Sequence, residues 1–304
     1  MEILDLTTKT IIDPYEYVWK TKKELKSKWK EDTVGIKVAA IAPNAEDFNL
    51  AKKGVDYDPY LTDFITGCGG YLSTFEYEKN NKNPLVIRGL GGGGQKALKH
   101  CVENNRDFYA IDTGYLQPST KKEYHRVTFN ALQNMGPLIE RDFDRLSRLR
   151  WKYRKRKNPG ENILVCPPSE KVMKYYGEDI NVWMQNTIAK IKKYSDRPIV
   201  IRQKPTRRER VTTDTIWNAL DNAYCLVTYN SIAASEAILA NVPAIALAPN
   251  AASVICETQI EQIEFLQKYP KDLVETFAAH LSYCQFTSPE LRNGTAWRIL
   301  NESS

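Results

Sequence analysis

Arg202, Lys204, Asn230, Ser231, Ile232 and Glu236 cluster at the ends of two apolar runs, and their side chains suit a phosphorylated ligand. The first run is Pro198-Ile199-Val200-Ile201, followed by Arg202-Gln203-Lys204-Pro205. The second ends at Val227-Thr228 and continues through Tyr229-Asn230-Ser231-Ile232-Ala233-Ala234-Ser235-Glu236-Ala237-Ile238 to Asn241-Val242-Pro243-Ala244-Ile245-Ala246-Leu247. This order reads as strand, polar turn, short helix, strand. A helix that leaves the end of a strand has unpaired amides in its first turn, and beside small side chains these accept a phosphate or diphosphate. Arg202 and Lys204 would neutralise a departing diphosphate. Glu236 would accept from ribose hydroxyls, and Thr258, after Cys256-Glu257, would add a nucleoside contact. A serine-capped helix and a solvated basic loop fit the same residues.

A second set lies in the first half. Asp107-Phe108-Tyr109-Ala110-Ile111 is an apolar strand ending in Asp112-Thr113-Gly114. A carboxylate at such an end faces the ligand side of an α/β sheet, and partial burial would raise its pKa toward that of a working general base. His125 is the other candidate base, because a neutral imidazole needs less tuning. If its segment were helical, Arg126 and Asn130 would share a face. Arg88, Gly89, Gly91 and Gly92 begin a glycine-rich loop after the strand Pro84–Ile87. The run lacks the Gly-Lys-Ser/Thr ending of a P-loop, and it is not placed at a first βα turn as the dinucleotide fingerprint requires. It reads as a backbone that comes close to an acceptor.

The charge pattern adds a third feature. Arg141, Arg145, Arg148, Arg150, Lys152, Arg154, Lys155, Arg156 and Lys157 crowd one segment, with Trp151 and Tyr153 between them and no acidic residue after Asp144. Arg207, Arg208 and Arg210 form a smaller cluster in a chain of net charge +6. Such a strip attracts polyanions, so double-stranded DNA is the expected partner of Arg148, Arg150, Lys152, Arg154, Lys155, Arg156 and Lys157.

These groups need elements to hold them. The chain's 304 residues allow two cores of about 150 residues each. Strands near Val34–Pro43, Pro84–Ile87, Asp107–Ile111, Asn162–Cys166, Pro198–Arg202, Tyr224–Thr228 and Ala244–Leu247 alternate with helical stretches at Lys96–Asn104, Glu170–Tyr176, Ile180–Tyr194 and Thr212–Leu220. The expected class is α/β, with two Rossmann-like βαβ domains and a ligand cleft at the strand ends. The segment from Asn134 to Asn158 reads as charged and helix-like. The break at Asn158–Gly160 then gives an N-terminal acceptor domain over 1–158, a nucleotide-sugar domain over 159–286, and a tail over 287–304 whose helix packs back on the first domain. Six scattered cysteines without a CxxC pair read as reduced and buried, in keeping with a cytoplasmic protein. Met1-Glu2-Ile3-Leu4-Asp5 does not resemble a signal peptide, and no run approaches the about 20 apolar residues of a membrane span.

The motifs Arg202-Gln203-Lys204-Pro205 and Thr228–Ala237 with Asn241-Val242-Pro243 resemble the donor-binding half of GT-B nucleotide-sugar glycosyltransferases of the capsular-polysaccharide type. The resemblance spans roughly residues 160–250 and implies a helix start on the donor diphosphate and a glutamate near the ribose. Asn241 stands where that family usually has glycine, and the usual histidine two positions before the serine is absent. Arg88-Gly89-Leu90-Gly91 and Tyr109–Tyr115 are similar to bacteriophage enzymes that glycosylate hydroxymethylated pyrimidines, such as hydroxymethylcytosine, in DNA. That likeness implies that Asp112 activates the acceptor hydroxyl. The expected reaction is direct sugar transfer from a nucleoside-diphosphate sugar, without a metal or other cofactor. A polysaccharide or lipid acceptor, sugar-nucleotide epimerisation, and non-catalytic DNA binding remain as alternatives. The sugar, the anomeric outcome and the oligomeric state are open at this stage.

Overall fold

The computed structural model describes residues 58–73, 78–91, 94–118, 122–156, 159–203 and 215–302, with short strand segments at 3–4, 11–12 and 39–41. Gly92, Lys157 and Lys204, and the cluster Arg207, Arg208 and Arg210, lie outside the described residues. The chain forms two compact units. One runs from Met135 to Ser282, and the other joins 2–134 to 283–304. The break read at Asn158–Gly160 therefore falls inside a unit whose chain begins at Met135.

The first-half unit carries a two-stranded antiparallel ribbon, β1 (Ile3–Leu4) and β2 (Ile11–Ile12), and a six-stranded sheet. The sheet strands are β3 (Ala39–Ile41), β4 (Tyr71–Ser73), β5 (Leu85–Arg88), β6 (Phe108–Thr113), β7 (His125–Phe129) and β12 (Gln285–Phe286). Their spatial order is β12-β7-β6-β5-β3-β4. β4, β3, β5 and β6 are parallel, β7 runs antiparallel to β6, and β12 antiparallel to β7. A helix over Arg126–Asn130 is thus replaced by a strand, because Val127 and its neighbours find a ladder partner in β6 and bury themselves there.

Helix α1 (Pro59–Cys68) starts at Asp58, whose side chain accepts from the Tyr60 amide, with proline in the first turn. It buries Leu61, Phe64 and Ile65 against Val86, Tyr109, Ile111 and Val127. Helix α2 (Gly94–Glu103) contacts β5 through a face that buries Ala97, Leu98 and Cys101. The tail forms two short helices, α9 (Ser288–Arg292) and α10 (Thr295–Glu302), which pack on α1, so it completes this unit. Asp63, buried in α1, takes a hydrogen bond from Ser288 and one from Arg292 Nε at 2.7 Å. The approach is so close that a Cβ on Gly67 would stand 2.0 Å from the Leu291 carbonyl oxygen.

The second-half unit has a four-stranded parallel sheet of β8 (Asn162–Cys166), β9 (Ile199–Ile201), β10 (Ala223–Thr228) and β11 (Ala244–Ala246), ordered β11-β10-β8-β9. Ile163, Leu164 and Val165 are all buried, so β8 is covered on both faces, as a central parallel strand must be. Between Met135 and Gly160 the only regular element among the described residues is α3 (Asp144–Arg148), not a long charged helix. Helices α4 (Glu170–Tyr175), α5 (Ile180–Tyr194), α6 (Ile216–Asp221), α7 (Ala233–Leu239) and α8 (Lys271–Ser282) follow. The buried face of α5 repeats at Trp183, Thr187 and Ile191, four residues apart, and packs on Ile163, Val165, Cys225 and Val227.

Cys101, Cys166, Cys225 and Cys256 are buried free thiols, whose pKa burial raises. None of the described helices is long and apolar enough to cross a membrane.

His125 opens β7 with only 3% of its surface exposed. Its ring lies against Tyr60, centroids 3.6 Å apart. Burial, and then the Arg88 charge, lower its pKa from 6.5 to about 4. Between those values the unfolded chain binds the proton and the folded one does not, so stability rises with pH across that window. Urea denaturation at pH 7, 5.5 and 4.5 is expected to show a falling midpoint on acidification, and His125→Gln should flatten that slope. Gly67→Ala should lower stability by about 1–3 kcal/mol, since its methyl meets backbone that cannot swing aside. An unchanged melting temperature would refute that packing account.

Candidate functional site

The switch point of the second-half sheet lies between β8 and β10, because the chain leaves β8 toward β9 on one side and returns as β10 on the other. In open parallel sheets loops diverge at such a point, and ligands commonly bind in the crevice at the strand ends. The ladder sets its floor. Thr228 sits opposite Cys166, and the Thr228 hydroxyl donates to the Cys166 carbonyl at 2.5 Å. On the other flank Val165 pairs with Ile201, and the Arg202 amide donates to the Val165 carbonyl at 2.9 Å. Arg202 and Glu236 both act electrostatically on the Cys166 thiol, with opposite sign. Arg202 follows β9, the Ser231 turn follows β10 and Glu236 lies in the helix after that turn, so all three come after strand C-terminal ends of this sheet.

The turn itself differs from an open anion cradle. The Ser231 amide points to the Thr228 hydroxyl at 3.4 Å, the Ser231 hydroxyl accepts from the Ala233 amide at 3.3 Å, and the Ala234 amide donates to the Ser231 carbonyl. Asn250 anchors the same carbonyl at 2.8 Å. Helix α7 is also only seven residues long. The amides of Ser231, Ala233 and Ala234 are thus engaged, and Ile232 enters the helix as its N-cap without a side-chain cap. Asn230 is buried, and its side chain bonds the Tyr176 phenol beneath the turn. Tyr229 packs edge-on against Tyr176 and Trp183. Asn230 therefore holds the turn from below. Thr258 is half-buried, and the Glu257 carboxylate accepts from its amide at 2.6 Å and from that of Gln259. That carboxylate is a local cap.

Asn241 has φ of 56°, the left-handed conformation that glycine or asparagine supplies most readily. This accounts for the departure from a Gly-Val-Pro turn. The asparagine also adds what glycine lacks, a 2.7 Å hydrogen bond from its side-chain amide to the Tyr153 hydroxyl.

In the first-half unit, antiparallel register places Arg126 opposite Asp112. Arg126 Nη2 meets Asp112 Oδ2 at 3.0 Å, and Arg88 Nη1 lies 3.7 Å from Oδ1. Asp112 Oδ1 also accepts from the Thr113 amide at 2.7 Å. Its side chain is 47% exposed, so it is not enclosed by apolar side chains. Two guanidiniums orient it. Arg88 is held in turn by Asp58 at 3.2 Å and by the Ile111 carbonyl at 3.0 Å, and it lies over the Tyr60 ring. Gly89 adopts φ of 58° and donates to Ile111, while Gly91 accepts from Gly94. The glycine loop is thus folded back on its own strand ends, with Arg88 directed at Asp58 and Asp112. His125 does not fit a base role, because it is sealed under Tyr60 and its pKa lies too low to take up a proton near neutrality.

The sequence reading missed Asp58, Arg126 and Thr228. Asp58-Pro59 carried a legible signal, a helix cap followed by proline at the first position. Arg126 carried none, because its role depends on which strand β7 joins.

The basic strip is divided by its contacts. Arg156 donates to the Ala223 and Asp221 carbonyls at 2.9 and 3.0 Å, and Arg154 lies over the Trp217 ring at 5.2 Å. Arg148 pairs with Asp144 at 3.5 Å. Arg145 is buried and donates to the last carbonyl of α8, where a cation complements the helix dipole. Arg156 therefore anchors the chain and does not serve as a phosphate contact, whereas Arg150, Lys152 and Lys155 are exposed.

The chain matches no known protein family and no curated protein sequence. Among solved structures it is similar to two KpsC enzymes of Thermosulfurimonas dismutans. Against the β Kdo 2,4 transferase it is 13% identical, with TM-score 0.45 over 81% of this chain and 90% of that one. Against the β Kdo 2,7 transferase it is 12% identical, with TM-score 0.46 over 88% of this chain and all of that one.

Proposed function

We propose that this chain is a glycosyltransferase of the GT-B kind, moving a sugar from a nucleoside-diphosphate donor to a hydroxyl acceptor. The observation that carries the reading is the placement of Arg202 and Ser231 just beyond the C-terminal ends of β9 and β10, which flank β8 in an all-parallel sheet, with Glu236 in the helix that follows. A cation suits a diphosphate, a hydroxyl adds a donor, and a carboxylate suits ribose hydroxyls. Lys204, two residues beyond Arg202, would extend the positive charge. In the proposed reaction Asp112 accepts the acceptor's proton as the acceptor oxygen bonds to the anomeric carbon. The bond from that carbon to the diphosphate oxygen breaks, and the diphosphate departs with the electron pair beside Arg202 and Ser231. No step of this scheme uses a metal.

The acceptor in this proposal is a hydroxymethylated pyrimidine in DNA, bound by a protein working in the cytoplasm of a phage-infected cell. The support is the exposed cationic trio Arg150, Lys152 and Lys155 and the half-exposed carboxylate at the end of β6. With a polysaccharide or lipid acceptor the same trio would instead meet an acidic glycan or an anionic membrane surface.

Incubation with a panel of UDP- and GDP-sugars and hydroxymethylated DNA, read by nucleoside mass spectrometry, should reveal a hexose-sized or similar mass increment on the modified base. Donor turnover without acceptor would point to an epimerase, and the absence of any donor binding by calorimetry would remove the proposal. Asp112→Asn should cut transfer at least about 100-fold while leaving donor affinity nearly unchanged. Because this change also takes a counter-ion from buried Arg126, circular dichroism must confirm the fold, and full activity would eliminate Asp112 as the base. Arg202→Ala should weaken donor binding about 10- to 100-fold, the loss expected for a charge-assisted hydrogen bond.

A further inference from the structure

The second-half unit carries an open groove of about 460 Å³ away from its sheet edge. Phe143, Trp151 and Tyr153 give it aromatic walls, and Lys152 and Lys271 stand among them. Leu146, Ser147 and Glu275 complete the lining. Phe143 is 54% exposed, an unusual place for a phenylalanine at the start of a helix. Lys271 is paired with Glu275 at 3.5 Å, so the groove's one carboxylate is already matched by a cation.

Several side chains anchor the backbone of this segment. Leu149 is buried, Arg154 lies over Trp217, and Arg156 is bonded to two carbonyls of the chain entering β10. Tyr153 is tethered by the side chain of Asn241, which itself sits in a turn that only asparagine or glycine accommodates readily. Residues 150–156 thus hold an irregular conformation without helix or strand hydrogen bonds, presenting Trp151 and Lys152 from a rigid support.

We infer that this groove binds single-stranded nucleic acid, taking an unstacked base against its aromatic walls and the flanking phosphates on Arg150 and Lys152. Every base has a π face, so aromatic stacking holds bases with little sequence preference, and lysines beside the stack track the backbone. The chemistry separates this occupant from a sugar chain. A neutral sugar chain could stack on the same rings but gives no charge for exposed Lys152 and Arg150 to meet, whereas a nucleic acid brings a phosphate beside every base. Exposed Arg150 and Lys155 extend the positive field along the same segment. The inference deepens the nucleic-acid reading of the acceptor and rests on it. Its test uses no sugar donor, so the two can fail separately.

The test is fluorescence anisotropy of a labelled oligothymidine with the full-length protein, at two salt concentrations, beside an abasic oligonucleotide of equal length. The wild-type protein should bind the oligothymidine at least about ten-fold more tightly than the abasic strand, because stacking is lost in the latter. Trp151→Ala and Phe143→Ala should each erase most of that difference while keeping the abasic affinity. Lys152→Ala should weaken both strands and flatten the salt dependence. Phe143 is exposed, so its variant remains informative if the Trp151 variant is poorly folded. Equal affinity for the two strands, indifference to both aromatic substitutions, or binding of an acidic polysaccharide in place of the oligonucleotide would each overturn the inference.

Discussion

Parallel strands that begin together also end together, and this constraint decides where each half of the chain keeps its polar side chains. A strand flanked on both faces has no solvent-facing side chains along its length, so polar groups accumulate where the strands stop. In the first-half unit β5 and β6 stop at Arg88 and at Asp112-Thr113. In the second, β8, β9 and β10 stop at Cys166, Ile201 and Thr228, with Arg202 and Ser231 immediately beyond. The ladder that pairs Cys166 with Thr228 and Val165 with Ile201 brings residues distant in sequence to one edge without any special loop. Moving one strand by a single residue would turn every side chain to the other face, so core and edge are specified together.

The Asp112–Arg126 pair shows how closely that edge is bound to stability. Arg126 is buried, and the Leu132 and Thr113 carbonyls satisfy two of its guanidinium nitrogens at 3.1 and 2.5 Å. Carbonyls accept its hydrogen bonds but do not neutralise its charge, a task left to Asp112. A half-exposed carboxylate gains less from such a pair than a buried one would, because water screens it. What the arrangement gives Asp112 is direction. One oxygen is fixed by Arg126, while the other is shared between the Thr113 amide and the more distant Arg88. If Asp112 takes up a proton during turnover, the pairing with Arg126 must weaken at that moment. The Arg88–Asp58 contact then keeps the neighbouring guanidinium in position.

The legibility of the sequence followed the physics of each element. β8 at Asn162–Cys166 and α5 at Ile180–Tyr194 coincide with their sequence-read limits, since an unbroken apolar run and an Asp-capped 3.6-residue periodicity are local signals. β7 was not readable, because His125-Arg126-Val127-Thr128-Phe129 becomes a strand only through its partner β6. The place of the tail was only partly readable. One helix was expected where two short ones form, and β12 pairs with the distant β7 while the bonds from Ser288 and Arg292 to Asp63 join residues more than 200 positions apart. The segment before Gly160 misled for a different reason. Its basic and aromatic residues suit a helix face, yet Tyr153, Arg154 and Arg156 find better partners in Asn241, Trp217 and two backbone carbonyls.

The turn after β10 changes the terms on which an anion would be held. Free first-turn amides would make a neutral, geometrically strict cradle, whereas the Ser231, Ala233 and Ala234 amides are already bonded within the turn. With α7 only seven residues long, its dipole adds little beyond those amides. The burden of neutralising a diphosphate therefore shifts to Arg202 and to any cation that follows it in the chain. Charge-based capture of that kind is less exacting about phosphate geometry and more sensitive to salt than an amide nest. Selectivity for one nucleotide would then depend on groups that read the nucleoside, the role proposed for Glu236. In the proposed site the feature most evident in the sequence, a serine at a helix start, would contribute its hydroxyl and its turn geometry, while the guanidinium after β9, on the far side of β8, would supply the charge.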